Sequence, residues 1–384
     1  MKILWLTHPE GDYSEYLILA GMVETVGVEF ITLCPNREDM NGKGFLRVED
    51  SGEIVKWATN TYPYEHHFKR SFTGYTACPE WWPRHWKFPH KDRLQDINPE
   101  DYDLIVLANT RMVVQQMMNY LRKKFGSNSV GGTRLGRAVS LDGEDYPDIR
   151  WELLKEWQPD LHLKTGHDPT YVGVCDGYAH KGVCPDRVVN GVHAFPFSAP
   201  PTRVWPHQIS VGSQFDVNLQ MGWTSSVRKP LVDALCNCED LNCQTAPANN
   251  SIRGTSSSVT TNASHGGWYQ WVTELGSCAS AVSLRGHGRT TLRNFEIPIS
   301  PTTLMFLDPP CADIKPAFED GIHAVYIDPT NIPKTVEIIR ETLRDRDRCL
   351  HIAQAAHDLV KKHHTCVQRA EAILKWYSSG IWEG

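Results

Sequence analysis

The sequence has no long hydrophobic run. None of its apolar stretches approaches the roughly 20 residues that cross a bilayer as a helix. The first stretch, KILWL at residues 2–6, is followed within four residues by His8, Pro9 and Glu10. A secretory signal needs a longer apolar segment than this. We therefore expect a cytoplasmic protein without a membrane span.

The sequence also lacks an excess of positive charge and paired cysteine motifs. Its formal net charge is -6, so it has no overall positive field that would attract nucleic acid. The 11 cysteines are scattered and include no CxxC pair, which favours reduced thiols over a disulfide framework. Three of them, Cys236, Cys238 and Cys243, are close enough to suggest zinc, but their spacing is not that of paired zinc ligands. No metal site is predicted.

What the sequence does contain is an alternation of short apolar runs with longer amphipathic ones. KILWLT and DYDLIVLANT are typical of strands in the first half, and ISVGSQ, CASAVSLR and TLMFLD in the second. The alternation predicts the α/β class, with two doubly wound parallel sheets. A proline-rich stretch at 197–208 marks the boundary between them. The expected domains are 1–200 and 201–360, followed by a helical segment, 361–384, that returns toward the first domain.

Positive charge is concentrated where one predicted strand ends. The stretch SLRGHGRTTLRNFE, residues 283–296, combines arginines with small residues that let the backbone approach a ligand. Arginines at the carboxyl end of a strand, ahead of a helix, suit a diphosphate. Glu296 lies about one helical turn after Arg293, where it could bind ribose hydroxyls; alternatively, these two side chains pair with each other. The predicted ligand-binding residues here are Arg285, Gly286, His287, Gly288, Arg289, Arg293 and Glu296.

Carboxylates follow an apolar strand of the first half, in LDGED at 141–145. One of Asp142, Glu144 and Asp145 could face the cleft and act as a general base. Alternatively, these acids cap the helix predicted just after them. His8, which follows the first strand, is a second candidate for the base, and a structural role is the alternative for it.

The segment at 62–93 interrupts the α/β pattern and is both basic and aromatic. We call it the basic aromatic segment. Tryptophan rings next to positive charges are typical of sites for single-stranded or flipped bases, and they also suit sugars. The alternative is that the aromatic rings pack onto their own domain. The predicted acceptor-binding residues are Trp81, Trp82, Arg84, Trp86 and Lys87.

Several of these stretches resemble a known family. GWYQWVTELGSCASAVSLRGHGRTTLRNFE, the following TLMFLD and FEDGIHAVYID, and the late HHTCVQRAEAIL resemble the C-terminal domain of CgeB-like glycosyltransferases, within the broader group-1-like set. TLRNFE is also similar to a short motif of phage DNA β-glucosyltransferases. Arg228, in SVRKPLVDAL, matches the donor-phosphate arginine of that second family. The resemblance implies the GT-B fold, in which two Rossmann-type domains face each other across a cleft.

The resemblance also implies an activity. The expected protein is a glycosyltransferase that moves a sugar from a nucleotide-diphosphate sugar, with a UDP-sugar as the expected donor, to a hydroxyl acceptor. No tightly bound cofactor or metal is expected. The acceptor stays open between a glycan, a small molecule and a hydroxylated base in DNA. A nucleotide-sugar epimerase and a non-catalytic nucleic-acid-binding protein are the alternative functions.

The sequence departs from the family pattern in two places. Glu296 is followed by IPISPTT rather than by a stretch of small residues that includes glycine. Pro298 is therefore expected to end the helix early. There is also no Asp-x-Asp motif next to the predicted donor strand, in keeping with a donor site that uses positive charge rather than a metal.

Overall fold

The protein was analysed as a computed structural model of 384 residues. The structure describes residues 1–7, 13–35, 45–57, 81–83, 85–108, 112–125, 137–143, 159–165, 192–206, 214–221, 225–245, 267–286, 290–309 and 314–383. All structural statements below concern these residues.

The first half forms a parallel sheet of six strands in the order β2-β1-β5-β6-β7-β8. Its central strands are short and fully buried because both faces of the sheet are covered, as is usual for parallel sheets. A separate antiparallel hairpin pairs β3 with β4. The strands are β1 Ile3–Leu6, β2 Ile31–Cys34, β3 Phe45–Val48, β4 Ile54–Trp57, β5 Leu104–Leu107, β6 Arg137–Asp142, β7 Leu161–Lys164 and β8 Val192–Ala194.

The second half forms a parallel sheet of five strands in the order β10-β9-β11-β12-β13. The predicted strand ISVGSQ, residues 209–214, lies outside the described residues except for Gln214, and the first described strand of this sheet is Phe215–Asn218. That strand carries Asp216 and Asn218, so it lacks the apolar run expected of a buried strand. The strands are β9 Phe215–Asn218, β10 Cys243–Gln244, β11 Cys278–Ser283, β12 Leu304–Leu307 and β13 Val325–Tyr326.

Eight α-helices cover the sheets within the described ranges. They are α1 Tyr13–Val26, α2 Met112–Phe125, α3 Arg228–Cys236, α4 Gly267–Gly276, α5 Arg293–Glu296, α6 Ile332–Leu343, α7 Arg346–His363 and α8 Cys366–Ser379. Helix α5 is short and continues as a 3-10 turn over Ile297–Ile299, which contains Pro298.

The last helix packs on the first half of the chain. Ala370, Ile373 and Trp376 of α8 share a buried cluster with residues of α1 and of the first sheet. The two helices approach closely at Gly21, where an added Cβ would lie 2.0 Å from the carbonyl oxygen of Cys366. Gly21 therefore has a packing role: any side chain there would push α8 away.

A second buried cluster joins the two halves. It includes Leu17 from α1, Trp268 and Val272 from α4, and Phe295 from α5. Each sheet also has a switch point, where its strand order reverses, between β1 and β5 in the first sheet and between β9 and β11 in the second. Ligands of doubly wound sheets bind outside the carboxyl ends of the strands at such points. These two edges are therefore where a functional site is expected.

Candidate active site

Arg293 spans the switch point of the second sheet. Its Nε donates to the carbonyl oxygen of Val282 at 2.7 Å, and its Nη1 donates to that of Gln220, also at 2.7 Å. Its Nη2 donates to Oδ1 of Asn218 at 2.6 Å. The guanidinium carbon lies 5.0 Å from the ring centroid of Trp271. Arg293 therefore connects the ends of β9 and β11. Its guanidinium group donates hydrogen bonds to backbone carbonyl oxygens at the point where the two strands diverge.

Arg285 and Asp308 form an ion pair at the same edge. Nε of Arg285 lies 2.5 Å from Oδ2 of Asp308, and its Nη2 lies 2.7 Å from Oδ1. The backbone N–H of Arg285 also donates to Oδ2, at 3.2 Å. Asp308 is buried, but the side chain of Arg285 keeps 34% of its surface exposed. A ligand at this edge can therefore reach Arg285, and Asp308 fixes the orientation of its guanidinium group.

Arg228, the first residue of α3, donates hydrogen bonds to the backbone of the segment that contains Arg285. Its Nε donates to the carbonyl oxygen of Arg285 and its Nη2 to that of Leu284, both at 2.9 Å. The side chain is buried. The structure thus places Arg228, Arg285 and Arg293 around the carboxyl edge of the second sheet, but all three donate to protein groups. Their role in holding a diphosphate stays a prediction.

Glu296 lies beside Arg293 and Trp271. Nε1 of Trp271 donates to Oε2 of Glu296 at 3.3 Å. Burial raises the pKa of Glu296 to about 7, although the positive charge of Arg293 and the Trp271 hydrogen bond act in the opposite direction. The carboxyl group is consequently part protonated and part ionised near neutral pH, and in its ionised form it can accept hydrogen bonds from hydroxyls.

Asp142 occupies the corresponding edge of the first sheet, at the end of β6. It is paired with Lys164, the last residue of β7, with 3.1 Å between Oδ1 and Nζ. Both side chains are almost fully buried, at 2% and 0% exposure. Breaking such a pair leaves an uncompensated buried charge, so Lys164 holds Asp142 in place.

Glu15 is a second buried carboxylate at this edge, and the sequence analysis did not identify it. It lies in the first turn of α1. Its Oε1 accepts hydrogen bonds from Oγ1 of Thr7 and from Nε1 of Trp5, the latter at 3.2 Å. Asp142 and Glu15 line one small cavity at the switch point of the first sheet.

The described part of the basic aromatic segment packs mostly against the protein. Trp81 is only 4% exposed and contacts Trp268, with 6.5 Å between ring centroids. Trp82 packs edge-on against Trp86 at 5.1 Å. Lys87 is exposed, and Trp86 is partly exposed. Of the described residues predicted to bind an acceptor, Trp81 is buried, and Trp82, Trp86 and Lys87 keep surface that a ligand can reach.

The remaining predictions fall partly outside the described residues. His8, Arg84, Glu144, Asp145, His287, Gly288 and Arg289 lie there. Gly286 is described and is partly exposed next to Arg285. Cys236, Cys238 and Cys243 are free thiols. No group of three potential metal ligands occurs in the described ranges.

Two of the residues that the sequence analysis missed carry a usable signal. Asp308 directly follows the buried strand β12, and Lys164, like Asp142, is the last residue of its strand. A charged residue ending an apolar strand of a parallel sheet marks the ligand edge. Glu15 has no such signal, because it lies on a helix and its burial depends on how α1 packs.

Comparison with known proteins gives one family match. Residues 269–375 match a family described as glycosyl transferase-like. The match contains Arg285, Arg293, Glu296 and Asp308, so it includes most of the described edge of the second sheet. No curated protein sequence matches the chain.

Solved structures with the same fold cover nearly the whole chain. HepE from Anabaena, in complex with UDP, is 12% identical with a TM-score of 0.59, over 99% of this chain and 100% of that one. A glycosyltransferase from Rickettsia africae is 10% identical with a TM-score of 0.58, over 100% and 99%. An alpha-glucosyltransferase in complex with UDP is 10% identical with a TM-score of 0.53, over 98% and 99%.

These likenesses establish the fold. The prediction of two parallel α/β sheets in the GT-B arrangement is confirmed, and so is the resemblance to glycosyltransferases at the level of the family match and the fold. The details specific to CgeB-like enzymes stay a prediction. None of the described helices has the length and apolar character needed to cross a membrane.

Proposed function

We propose that the protein is a glycosyltransferase that transfers a sugar from a UDP-sugar to a hydroxyl group. The observation that carries this proposal is the family match over 269–375, because it contains the arginine and carboxylate residues at the switch point of the second sheet. Proteins of similar fold have been solved with UDP and with UDP-glucose, which supports a uridine nucleotide as the donor. The same edge is where doubly wound sheets hold nucleotides.

On the donor side, we assign different roles to the arginines. Arg285 contacts the diphosphate, since it is the partly exposed member of the described cluster and Asp308 pre-orients its planar fork. Arg228 and Arg293 are positioning residues, because they bond the backbone around the site. Glu296 in its ionised form accepts hydrogen bonds from the ribose hydroxyls. His287, Gly288 and Arg289 stay predicted donor contacts.

On the acceptor side, Asp142 is the proposed general base. In the reaction the acceptor oxygen forms a bond to the anomeric carbon of the sugar. The bond between that carbon and the diphosphate oxygen breaks, and the UDP leaving group keeps the electron pair. The acceptor proton passes to Asp142, which Lys164 positions. Positive charge at the donor edge stabilises the departing diphosphate without a metal.

The acceptor that we favour is a glycan or a small molecule. The chain has a net charge of -6, and Trp81, in the basic aromatic segment, is buried in the protein. Both features disfavour a large polyanion as the partner. An alpha-glucosyltransferase of similar fold has been solved with UDP and DNA, so hydroxylated DNA belongs in any acceptor screen.

The donor assignment is tested by thermal stability in the presence of nucleotides. UDP that binds the folded state raises the melting temperature in proportion to the logarithm of its concentration over Kd. We expect this rise for UDP and UDP-glucose in the wild type and its loss in Arg285→Met. Arg340→Met is a matched control, since Arg340 pairs with Asp240 on the exposed surface of the same half.

Two outcomes would contradict the proposal. If Arg285→Met keeps the full UDP-induced rise, Arg285 does not contact the diphosphate. If no nucleoside diphosphate or its sugar shifts the melting temperature of the wild type, the donor site is wrong. Where UDP does bind, a UDP-release assay with analysis of the products separates the two activities. A transferase needs an acceptor for full turnover and forms a glycoside, whereas an epimerase releases UDP and an altered sugar without an acceptor.

A further inference from the structure

The cavity at the switch point of the first sheet is small, and its lining is mainly apolar but includes five polar side chains. Its polar lining comes from Ser14, Glu15, Asp142, Thr165 and Ser198, and its volume is about 20 Å³. A water molecule needs a cavity of roughly 10 to 15 Å³ on this measure. The cavity therefore holds one group the size of a hydroxyl, and it is too small for a sugar ring or a phosphate.

One hydroxyl group that lines the cavity, that of Ser198, indicates that a polar group binds there. Ser198 is 1% exposed, and within the described part of the chain its Oγ has no hydrogen-bond partner. Buried polar atoms without a partner are rare, because each costs the free energy of its lost hydration. Ser198 follows the last strand of the sheet and belongs to the segment that leads into the second half. Its hydroxyl is thus available to a group that enters the cavity.

The charges around the cavity decide what that group can be. Two carboxylates, Glu15 and Asp142, line it, and one ammonium group, that of Lys164, lies 3.1 Å from Asp142. Among the described residues that line the cavity or pair with its lining, acidic side chains therefore outnumber basic ones by one. Burial strengthens the repulsion between a carboxylate here and a second anion. A neutral hydroxyl avoids that repulsion and can donate its hydrogen to a carboxylate.

We propose that this cavity binds the reacting hydroxyl of an uncharged polyol or sugar acceptor, with Glu15 and Ser198 as acceptor-positioning residues beside Asp142. The proposal rests on the glycosyltransferase function proposed above. The hydroxyl donates to a carboxylate, and Oγ of Ser198 donates to the hydroxyl oxygen. An acceptor with an anionic group next to the reacting hydroxyl is excluded by the carboxylates. The cavity therefore sets both the position and the charge selectivity of the acceptor.

The test uses UDP-glucose as the donor and measures UDP release. Without an acceptor, water takes the place of the hydroxyl, so slow hydrolysis already reports on the cavity. We expect Ser198→Ala and Glu15→Gln each to lower this rate about tenfold, the effect of losing one hydrogen bond that is made in the transition state. The KM for UDP-glucose should not change. Ser140→Ala is the matched control, because Ser140 is also buried with no partner in the described ranges but does not line the cavity.

Charge selectivity is tested with a matched pair of acceptors. Methyl glucoside and methyl glucuronoside differ at one position, where the first has a hydroxymethyl group and the second a carboxylate. We expect methyl glucoside to stimulate UDP release at least about tenfold more than methyl glucuronoside. If the anion stimulates release equally, or if Ser198→Ala and Glu15→Gln both release UDP at the wild-type rate, the cavity proposal is overturned and the proposed function stands.

Failure of the proposed function gives a different result. In that case the wild type releases no UDP and its melting temperature does not respond to UDP, and the cavity proposal falls with it. Circular dichroism and UDP-induced stabilisation establish whether each variant is folded. If Glu15→Gln does not fold, Ser198→Ala decides alone, since removing one hydroxyl that has no partner in the described ranges leaves no charge or donor stranded.

Discussion

The buried pair of Asp142 and Lys164 leads to a quantitative prediction. At 3.1 Å, opposite charges attract by about 5 kcal/mol at an effective dielectric constant of about 20. Burying both charges costs several kcal/mol, so the net contribution of the pair is small. Removing one partner is different, because the other charge then stays buried alone. We expect Asp142→Asn or Lys164→Met to lower the free energy of unfolding by about 3 to 5 kcal/mol.

The double variant separates pairing from packing. Asp142→Asn combined with Lys164→Met leaves no buried charge, so it should regain most of the lost stability and give a coupling energy of about 2 kcal/mol or more. Urea unfolding followed by tryptophan fluorescence measures this, and Trp5 in β1 of the same sheet is a fully buried reporter. Lys229→Met is the exposed control, because Lys229 pairs with Asp233 on the surface, where a pair contributes about 0.5 kcal/mol or less.

Additive costs of the two single variants would show that Asp142 and Lys164 do not form a coupled pair. If each single variant costs less than about 1 kcal/mol and the two costs simply add, the two charges do not depend on each other. Asp142 would then be as tolerant of change as a surface residue, and its position at the acceptor edge would need another explanation.

Three further predictions concern the rest of the structure. Gly21→Ala should destabilise the protein by about 1 to 3 kcal/mol in urea, because the new methyl group would overlap the carbonyl of Cys366; an unchanged midpoint would show that α1 and α8 do not touch there. Because burial raises the pKa of Glu296 to about 7, ionisation of its carboxyl group destabilises the folded state. Relative to Glu296→Gln, the free energy of unfolding of the wild type should fall by about 2 kcal/mol between pH 5 and pH 8. Parallel plots of this free energy against pH for the two proteins would contradict the prediction. Burial and the charge of Arg369 lower the pKa of His364 to about 3, so the wild type should lose about 3 kcal/mol between pH 7 and pH 4. In His364→Asn the free energy of unfolding should depend less on pH over this range. An equal decrease in the wild type and the variant would contradict a buried neutral imidazole at this position.

The sequence predicts the fold well because the signal for a parallel sheet is local. Runs such as LIVL in β5 and LMFL in β12 are apolar throughout, and their burial on both faces requires nothing else. The strand β9 carries no such signal because FDVN is half polar. Its Asn218 is buried but donates to Gln220 and Gln244, and that network exists only after the sheet has formed.

The site is less predictable than the fold because the partners of its charged groups are distant in sequence. Arg293 looks like a phosphate ligand in the sequence, but its guanidinium bonds carbonyl and side-chain oxygens of Asn218 and Gln220, more than 70 residues away. Asp142 could be predicted, since it ends an apolar strand. Glu15 could not, because its burial depends on where α1 lies over Thr7 and Trp5.

The proposed function requires that a nucleoside diphosphate binds at the carboxyl edge of the second sheet. Hydrogen–deuterium exchange of the wild type with and without UDP tests it directly. We expect slower exchange in peptides that cover the ends of β11 and β12, near Arg285 and Asp308, and unchanged exchange in peptides that cover β6 of the first sheet. Protection confined to the first sheet, or absent from both at saturating UDP, would contradict the donor site proposed here.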